Sequence, residues 1–183
     1  MQIRTKLAVS FLAAGLIPAG VCATIAWRAT NNVADTIGGR FQQTATDLLD
    51  KVDRFLFERY GDVQAFGLNS VVQDRSEWYR GKESPVVRAM DSYMSCYGIY
   101  GLMVLVDTDG KVVAVNSCDA AGKPLDTDRL YEQNFADATW FKDAMAGRFL
   151  ASPTLTGSVV SEVEADPLLA GVYRNDGMSV GFA

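Results

Sequence analysis

From Leu7 to Trp27 the chain runs 21 residues, LAVSFLAAGLIPAGVCATIAW, without a charge. As a helix rising about 1.5 Å per residue, this stretch is roughly 31 Å long, the thickness of a bilayer's hydrocarbon core. Arg4 and Lys6 precede it, and Trp27 and Arg28 end it as interfacial anchors would. The positive-inside bias assigns residues 1–6 to the cytoplasm, 7–27 to a transmembrane signal anchor, and everything past Arg28 to the far side. Pro18 is tolerable in a spanning helix as a kink. A cleaved signal peptide is the rival reading, with Val21-Cys22-Ala23 as its small-residue cleavage site. A lipoprotein signal ending at Cys22 fits less well, because Val21 is poor before the cysteine. The uncleaved anchor is favoured, and all three readings export the rest of the chain.

That exported part is acidic. Of 17 basic residues, Arg4 and Lys6 lie before the span, leaving 15 against 22 acidic ones and a net charge of −7. Such a surface repels a phosphate backbone, so nucleic acid is not an expected partner. The chain has no histidine. His-based triads and common zinc sites are excluded, and no metal or cofactor is expected.

Residues 28–68 contain no proline and repeat apolar side chains at helical spacing. Phe41, Ala45, Leu48, Val52 and Phe55 keep 4-3-4-3 intervals, and Leu49, Leu56 and Val63 widen the stripe. A helix of some 35 residues here would be about 50 Å long. Arg59 falls on the seam and Gly38-Gly39 weakens the start, against a strict coiled coil. The helix is expected to leave the membrane and dock on a sheet, with homodimerisation an open alternative.

Gln73 to Pro85 is polar and broken by Gly81 and Pro85, so it reads as loop. Ser84-Pro85 is an N-cap and first-turn pair that predicts a helix over Val86–Cys96. Gly98 and Gly101 close it. Two β-branched runs, Leu102–Asp107 and Lys111–Ser117, then flank DTDG and predict a β-hairpin. DTDG is a turn and no calcium loop, because the twelfth position from Asp107 is Cys118 where an EF-hand needs Glu. Ala138–Phe149 (ATWFKDAMAGRF) predicts a short helix. SVVSEVEA (158–165), LLAGVYR (168–174) and GMSVGFA (177–183) read as three strands, the last two joined at Asn175-Asp176-Gly177.

Folding the hairpin about Thr108-Asp109 brings positions near 97–100 opposite 118, so Cys96 could approach Cys118 across its open end. In an oxidising compartment the expected disulfide would close a loop of about twenty residues, worth roughly 3 kcal/mol in the chain-entropy model. The alternative is two reduced thiols on different faces of the sheet.

An anchor, an exported long helix, VLVDTDGKVVAVNS and then WFKDAMAGRF resemble, in that order, the Cache sensor domains of bacterial chemoreceptors and sensor kinases. The resemblance covers the chain from about residue 30 onward. It implies an α+β fold in which a PAS-like antiparallel sheet of five or six strands, flanked by short helices, makes up a sensor lobe at 69–183. The hairpin would floor a small-molecule pocket, and the long helix would tie that pocket to the membrane.

In the double-Cache receptors for amino acids, an aromatic pair follows an arginine placed two residues before its Trp. The pair here is Trp140-Phe141, but the residue two before Trp140 is Ala138, so no guanidinium is available to fork onto a carboxylate. The family's ammonium-binding aspartate would lie near Asn175-Asp176. The candidate ligand-binding residues are therefore Trp140, Phe141, Tyr131, Tyr173, Asn175 and Asp176, with aromatic walls and polar handles. An equally weighted alternative is that Trp140 and Phe141 only pack a helix onto the sheet. Asp137 and Asp143 read as a solvated face.

The expected function is extracytoplasmic small-molecule sensing by a methyl-accepting chemotaxis protein, without enzymatic activity. The input region of a sensor histidine kinase or diguanylate cyclase is the runner-up, and a membrane-tethered binding protein without signalling is the reading from another class. The receptor readings expect a longer protein, with a second membrane-proximal lobe beyond Ala183.

Overall fold

The computed structural model describes residues 3–151 and 157–183. Met1 and Gln2 of the expected cytoplasmic segment 1–6 lie outside the described residues. The fold is mixed helix and sheet. Helix α1 spans Ile3–Gly67, passes through Pro18, and includes the whole uncharged segment. Two compact units meet within α1, Met1–Arg54 and Phe55–Ala183.

In the first unit the side chains of α1 face outward, including Phe11, Leu16 and Trp27. The apolar window has a mean hydropathy of 2.0, and none of it is buried. It is long and apolar enough to cross a membrane. Within it, the Thr24 hydroxyl donates to the carbonyls of Gly20 and Val21, at 3.1 and 2.8 Å.

The second unit is built around a hairpin. Strand β1 (Val104–Val106) pairs antiparallel with β2 (Val112–Val115), and all four β2 residues are buried. Val104 pairs with Val115, Leu105 with Ala114, and Val106 with Val112, so one residue, Val113, is extra on β2. This bulge flips the alternation of side chains. Val112 and Val115, three residues apart, thereby share a face, while Val113 and Ala114 share the other.

Each face has its own helical cover. Val113 and Ala114, with Met103 and Leu105, pack on α2 (Ser70–Gln73) and α3 (Pro85–Tyr97) through Val72, Val86, Val87 and Met90. Val112 and Val115, with Val104 and Val106, pack on Leu130, Phe135, Phe141, Leu168 and Val172. Leu130 comes from a 3-10 turn at Asp128–Glu132, Phe135 from the loop after it, Phe141 from α4 (Thr139–Met145), and Leu168 and Val172 from α5 (Pro167–Tyr173).

Helix α3 begins and ends as expected. Ser84 Oγ accepts the Val87 N–H at 3.1 Å, Pro85 takes the first turn, and Gly98 closes the helix in the left-handed region at φ +69°. The loop from Gln73 to Pro85 contains two 3-10 turns, Arg75–Glu77 and Gly81–Glu83. Helix α4 stops at Met145 and does not reach Phe149, because the chain turns at Gly147, φ +68°.

Three expectations are corrected. LLAGVYR is not a strand: it forms α5, which Asp166 caps by accepting the Leu168 N–H at 2.7 Å with Pro167 in the first turn. The expected strands on either side shrink to β3 (Glu164–Ala165) and β4 (Met178–Ser179), which pair with each other, plus a bridge between Val160 and Phe182. Among the described residues there are thus two separate two-stranded sheets, not one sheet of five or six strands.

The Cys96–Cys118 disulfide is also absent: both thiols, and that of Cys22, are free. The reason lies one and a half turns back along α3. The Asp91 carboxylate accepts the backbone N–H groups of Ser117 and Cys118, at 2.7 and 3.0 Å, and so fixes Cys118 beside residue 91. On an ideal helix Cys96 is about 7.5 Å further along the axis than Asp91 and about 140° around it, so it points away from the side on which Asp91 holds Cys118.

Candidate functional site

Tyr131, Trp140 and Phe141 come together on the face of the hairpin formed by Val104, Val106, Val112 and Val115. Phe141 is buried, while Trp140 and Tyr131 are half-buried. The Trp140 ring lies 5.4 Å from Phe135 and 5.9 Å from Phe141, centroid to centroid. Phe141 therefore does the packing, and Trp140 and Tyr131 keep part of their surface open. The Tyr131 hydroxyl accepts from the Val115 N–H at 3.3 Å, and burial pushes its phenol pKa up.

Tyr173 ends α5 and donates to the Gly101 carbonyl at 2.6 Å, just before β1. Burial raises its pKa too. Its hydroxyl ties α5 to the entry of the hairpin. Asn175 and Asp176 are exposed, and both serve the turn into β4: Asn175 accepts from Gly177 N–H at 2.9 Å and Asp176 from Met178 N–H at 3.4 Å. Neither reaches the aromatic face through these bonds. Asp137 pairs with Lys142 at 2.9 Å and Asp143 with Arg148, both as exposed local ion pairs.

A second constellation escaped the sequence reading. On α1, Phe55, Arg59, Asp62 and Phe66 recur at 4-3-4 spacing; on α3 and its exit, Tyr93, Tyr97 and Tyr100 recur at 4-3. The two rows interlock. Phe66 stacks on Tyr93 at 4.2 Å and meets Tyr97 and Tyr100 edge-on at 5.5 and 5.7 Å. The Arg59 guanidinium lies 4.9 Å from the Phe55 ring centroid and 5.7 Å from those of Tyr97 and Tyr100. These are cation–π distances. Its Nε donates to Asp62 at 2.7 Å and its Nη2 to Glu58 at 3.3 Å.

Asp62 also accepts from the Tyr100 hydroxyl, and Tyr93 from the Asn69 amide. Burial first, then the Asp62 bond, raises the Tyr100 pKa; the Asp62 charge first raises that of Tyr97. The available signals were Arg59 on an apolar seam and three tyrosines on one helical stripe.

On another side of α1, Tyr60 donates its hydroxyl to the Leu150 carbonyl at 2.8 Å. Gln64 donates to Ser158 Oγ at 3.2 Å, and Ser158 Oγ donates to the Tyr60 carbonyl at 2.9 Å.

The DTDG turn carries a clamp of its own. Asp107 Oδ1 accepts the N–H groups of Asp109 and Lys111, both at 2.9 Å, while its Oδ2 accepts from the Tyr79 hydroxyl. Lys111 Nζ stands 5.0 Å above the Tyr79 ring. Tyr79 holds a left-handed backbone, φ +59°, uncommon for a bulky residue. Twelve residues on, Asp119 repeats the turn, accepting from Ala121 and Lys123 N–H, both at 2.9 Å.

Comparison of the chain with family models, with curated proteins and with solved structures gives no match.

Proposed function

We propose that this chain is the extracytoplasmic sensing region of a bacterial membrane receptor of the Cache type, in the first instance a methyl-accepting chemotaxis protein. One observation carries the proposal. The helix that holds the exposed apolar window also supplies Arg59, which lies over the Tyr97 and Tyr100 rings, and Tyr60 and Gln64, which bond Leu150 and Ser158. A membrane segment and a folded lobe on one helix are what a receptor needs to report a ligand across a bilayer.

In this reading the hairpin with helices on both faces is the centre of a PAS-like lobe, and the ligand lies against the open surfaces of Tyr131 and Trp140. Ala138 offers no guanidinium, so carboxylate recognition by an arginine fork is not the basis of binding. The apolar stripe of α1, with Phe41, Leu48 and Val52 exposed, supports pairing with a second copy.

The test is a topology reporter. β-Lactamase fused after Ala183 of the full chain confers ampicillin resistance, and green fluorescent protein fused at the same place stays dark. Bright fluorescence without resistance overturns the reading. Thermal melts of the detergent-solubilised chain against amino acids, organic acids, amines and purines then identify the ligand class. A compound at a hundred times its Kd adds about 2.7 kcal/mol, and the gain disappears in Trp140→Ala.

A further inference from the structure

Neither apolar cluster around the hairpin includes a residue of α1, whose contacts with the rest of the unit are the Phe66 ring among Tyr93, Tyr97 and Tyr100 and a set of polar bonds. β2 lies wholly buried among apolar side chains, and Val86, Val87 and Met94 of α3 are fully enclosed or nearly so. Of α1, only Arg59 and Tyr60 are buried, and both bear polar groups. One side of the helix is held by the Arg59–Asp62–Tyr100 network with its aromatic frame, the other by Tyr60 and Gln64 against Leu150 and Ser158.

Apolar burial is lost outright when an element lifts away. The hydrogen bonds of Tyr100, Tyr60, Gln64 and Ser158 that cross to α1 are exchanged for bonds to water, so each contributes little net stability. An element held in this way opens locally well before the core does.

We infer that residues 55–67 of α1 form a releasable joint, with Arg59, Asp62 and Tyr100 as its positioning residues, that opens while the hairpin stays folded. The inference rests on the sensing role proposed above, which needs an element able to take two arrangements, but its mechanics are independent of any ligand. Asp62 is the hub. It takes Arg59 from its own helix and Tyr100 from the segment between α3 and β1. A strain on the hairpin's entry therefore acts on Asp62 first, and Arg59, still framed by Phe55, can keep its carboxylate when Tyr100 lets go.

Hydrogen–deuterium exchange on the full chain in detergent micelles tests this. In the unaltered protein, amides of 55–67 exchange faster than those of 86–94 and 112–115. Tyr100→Phe removes only a hydroxyl, and Asp62→Asn is isosteric. Each is expected to raise exchange in 55–67 about five- to tenfold, the equivalent of one net hydrogen bond, with peptides over β1 and β2 unchanged. Tyr79→Phe, which removes a tyrosine hydrogen bond at the DTDG turn, the other end of the hairpin from Tyr100, leaves 55–67 unchanged.

The inference is overturned if 55–67 does not respond to either variant. It is equally overturned if the hairpin opens by the same factor, or if both variants unfold the unit, since α1 would then be part of one cooperative core. Failure here with a positive β-lactamase result removes the joint and leaves the exported sensor; a cytoplasmic reporter removes the sensor whatever the exchange shows.

Discussion

Gly110 and Gly122 occupy the same position in two copies of one turn, D-x-x-G-K, and share φ +77°. Their surroundings differ. A Cβ on Gly110 would stand 2.3 Å from the Ala136 backbone nitrogen, whereas a Cβ on Gly122 meets nothing within 4 Å. Gly122→Ala should therefore cost about 1 kcal/mol, the left-handed backbone penalty alone. Gly110→Ala adds a clash with backbone that cannot swing aside, and should cost at least about 3 kcal/mol. Urea unfolding of the two variants measures the difference, and equal costs would show that the loop at Asn134–Ala136 yields. Asp107 in the same turn has its pKa held below the usual carboxylate value, first by the Tyr79 hydroxyl and then by backbone N–H groups. A depressed folded pKa contributes stability above the unfolded value, near 4, and loses it as pH falls through the folded one. Tyr79→Phe should move the Asp107 titration upward in a carbon-detected NMR experiment and flatten the acid limb of the stability curve. An unmoved midpoint would mean that the backbone donors alone set it. DTDG was legible as a turn from its residue types; that Tyr79 clamps it, from 28 positions away, was not.

At the level of elements, Asp91 is the junction between α3 and the end of β2. Its carboxylate accepts from Ser117 N–H, Ser117 Oγ and Cys118 N–H, at 2.7, 2.6 and 3.0 Å. Asp91→Ala leaves three donors without their charged acceptor and should cost about 3 kcal/mol by denaturant melt. Asp91→Asn keeps Oδ1 and should cost about 1 kcal/mol; the reverse order would refute the junction. The same carboxylate explains why the cysteines could not be paired from sequence. Folding a hairpin about its turn gives the register of its two strands but not where the preceding helix lies, and a side chain on that helix decided it. The hairpin was readable because its β-branched runs are unambiguous, though not its bulge, which depends on the covers of both faces. Helix α5 was misread because LLAGVYR is apolar enough for a buried strand. Its true signal stood just before it: Asp166-Pro167 is the cap and first-turn pair that Ser84-Pro85 correctly gave for α3. Tyr131, Trp140 and Phe141 share one face of the hairpin, as the packing alternative expected, since a W-F pair on a short amphipathic helix must bury one ring. Asn175 and Asp176 did not join it, because a turn needs its Asx side chains for backbone N–H groups.

For the molecule as a whole, the uncharged run and the free thiols make one argument. The large apolar side chains from Leu7 to Trp27 are exposed, and the run is long and apolar enough to cross a bilayer. Cys22 sits inside that run, Cys96 is exposed on α3, and Cys118 is partly covered beside Asp91. If the run crosses the membrane and the hairpin unit lies outside, the three thiols differ in access by compartment as well as by packing. A membrane-impermeant maleimide added to intact spheroplasts should then label Cys96 fully and Cys118 slowly, without prior reductant. Cys22 should react only after detergent dissolves the bilayer, and Cys96→Ser should remove the fast phase. Labelling that waits for cell lysis would put the hairpin unit in the cytosol. Labelling of Cys96 that waits for reductant would restore the disulfide, and would require α3 to move relative to the end of β2, which breaks the Asp91 junction. The thiols thus report the membrane side and the α3–β2 register together, and each contrary outcome points to a different one of the two.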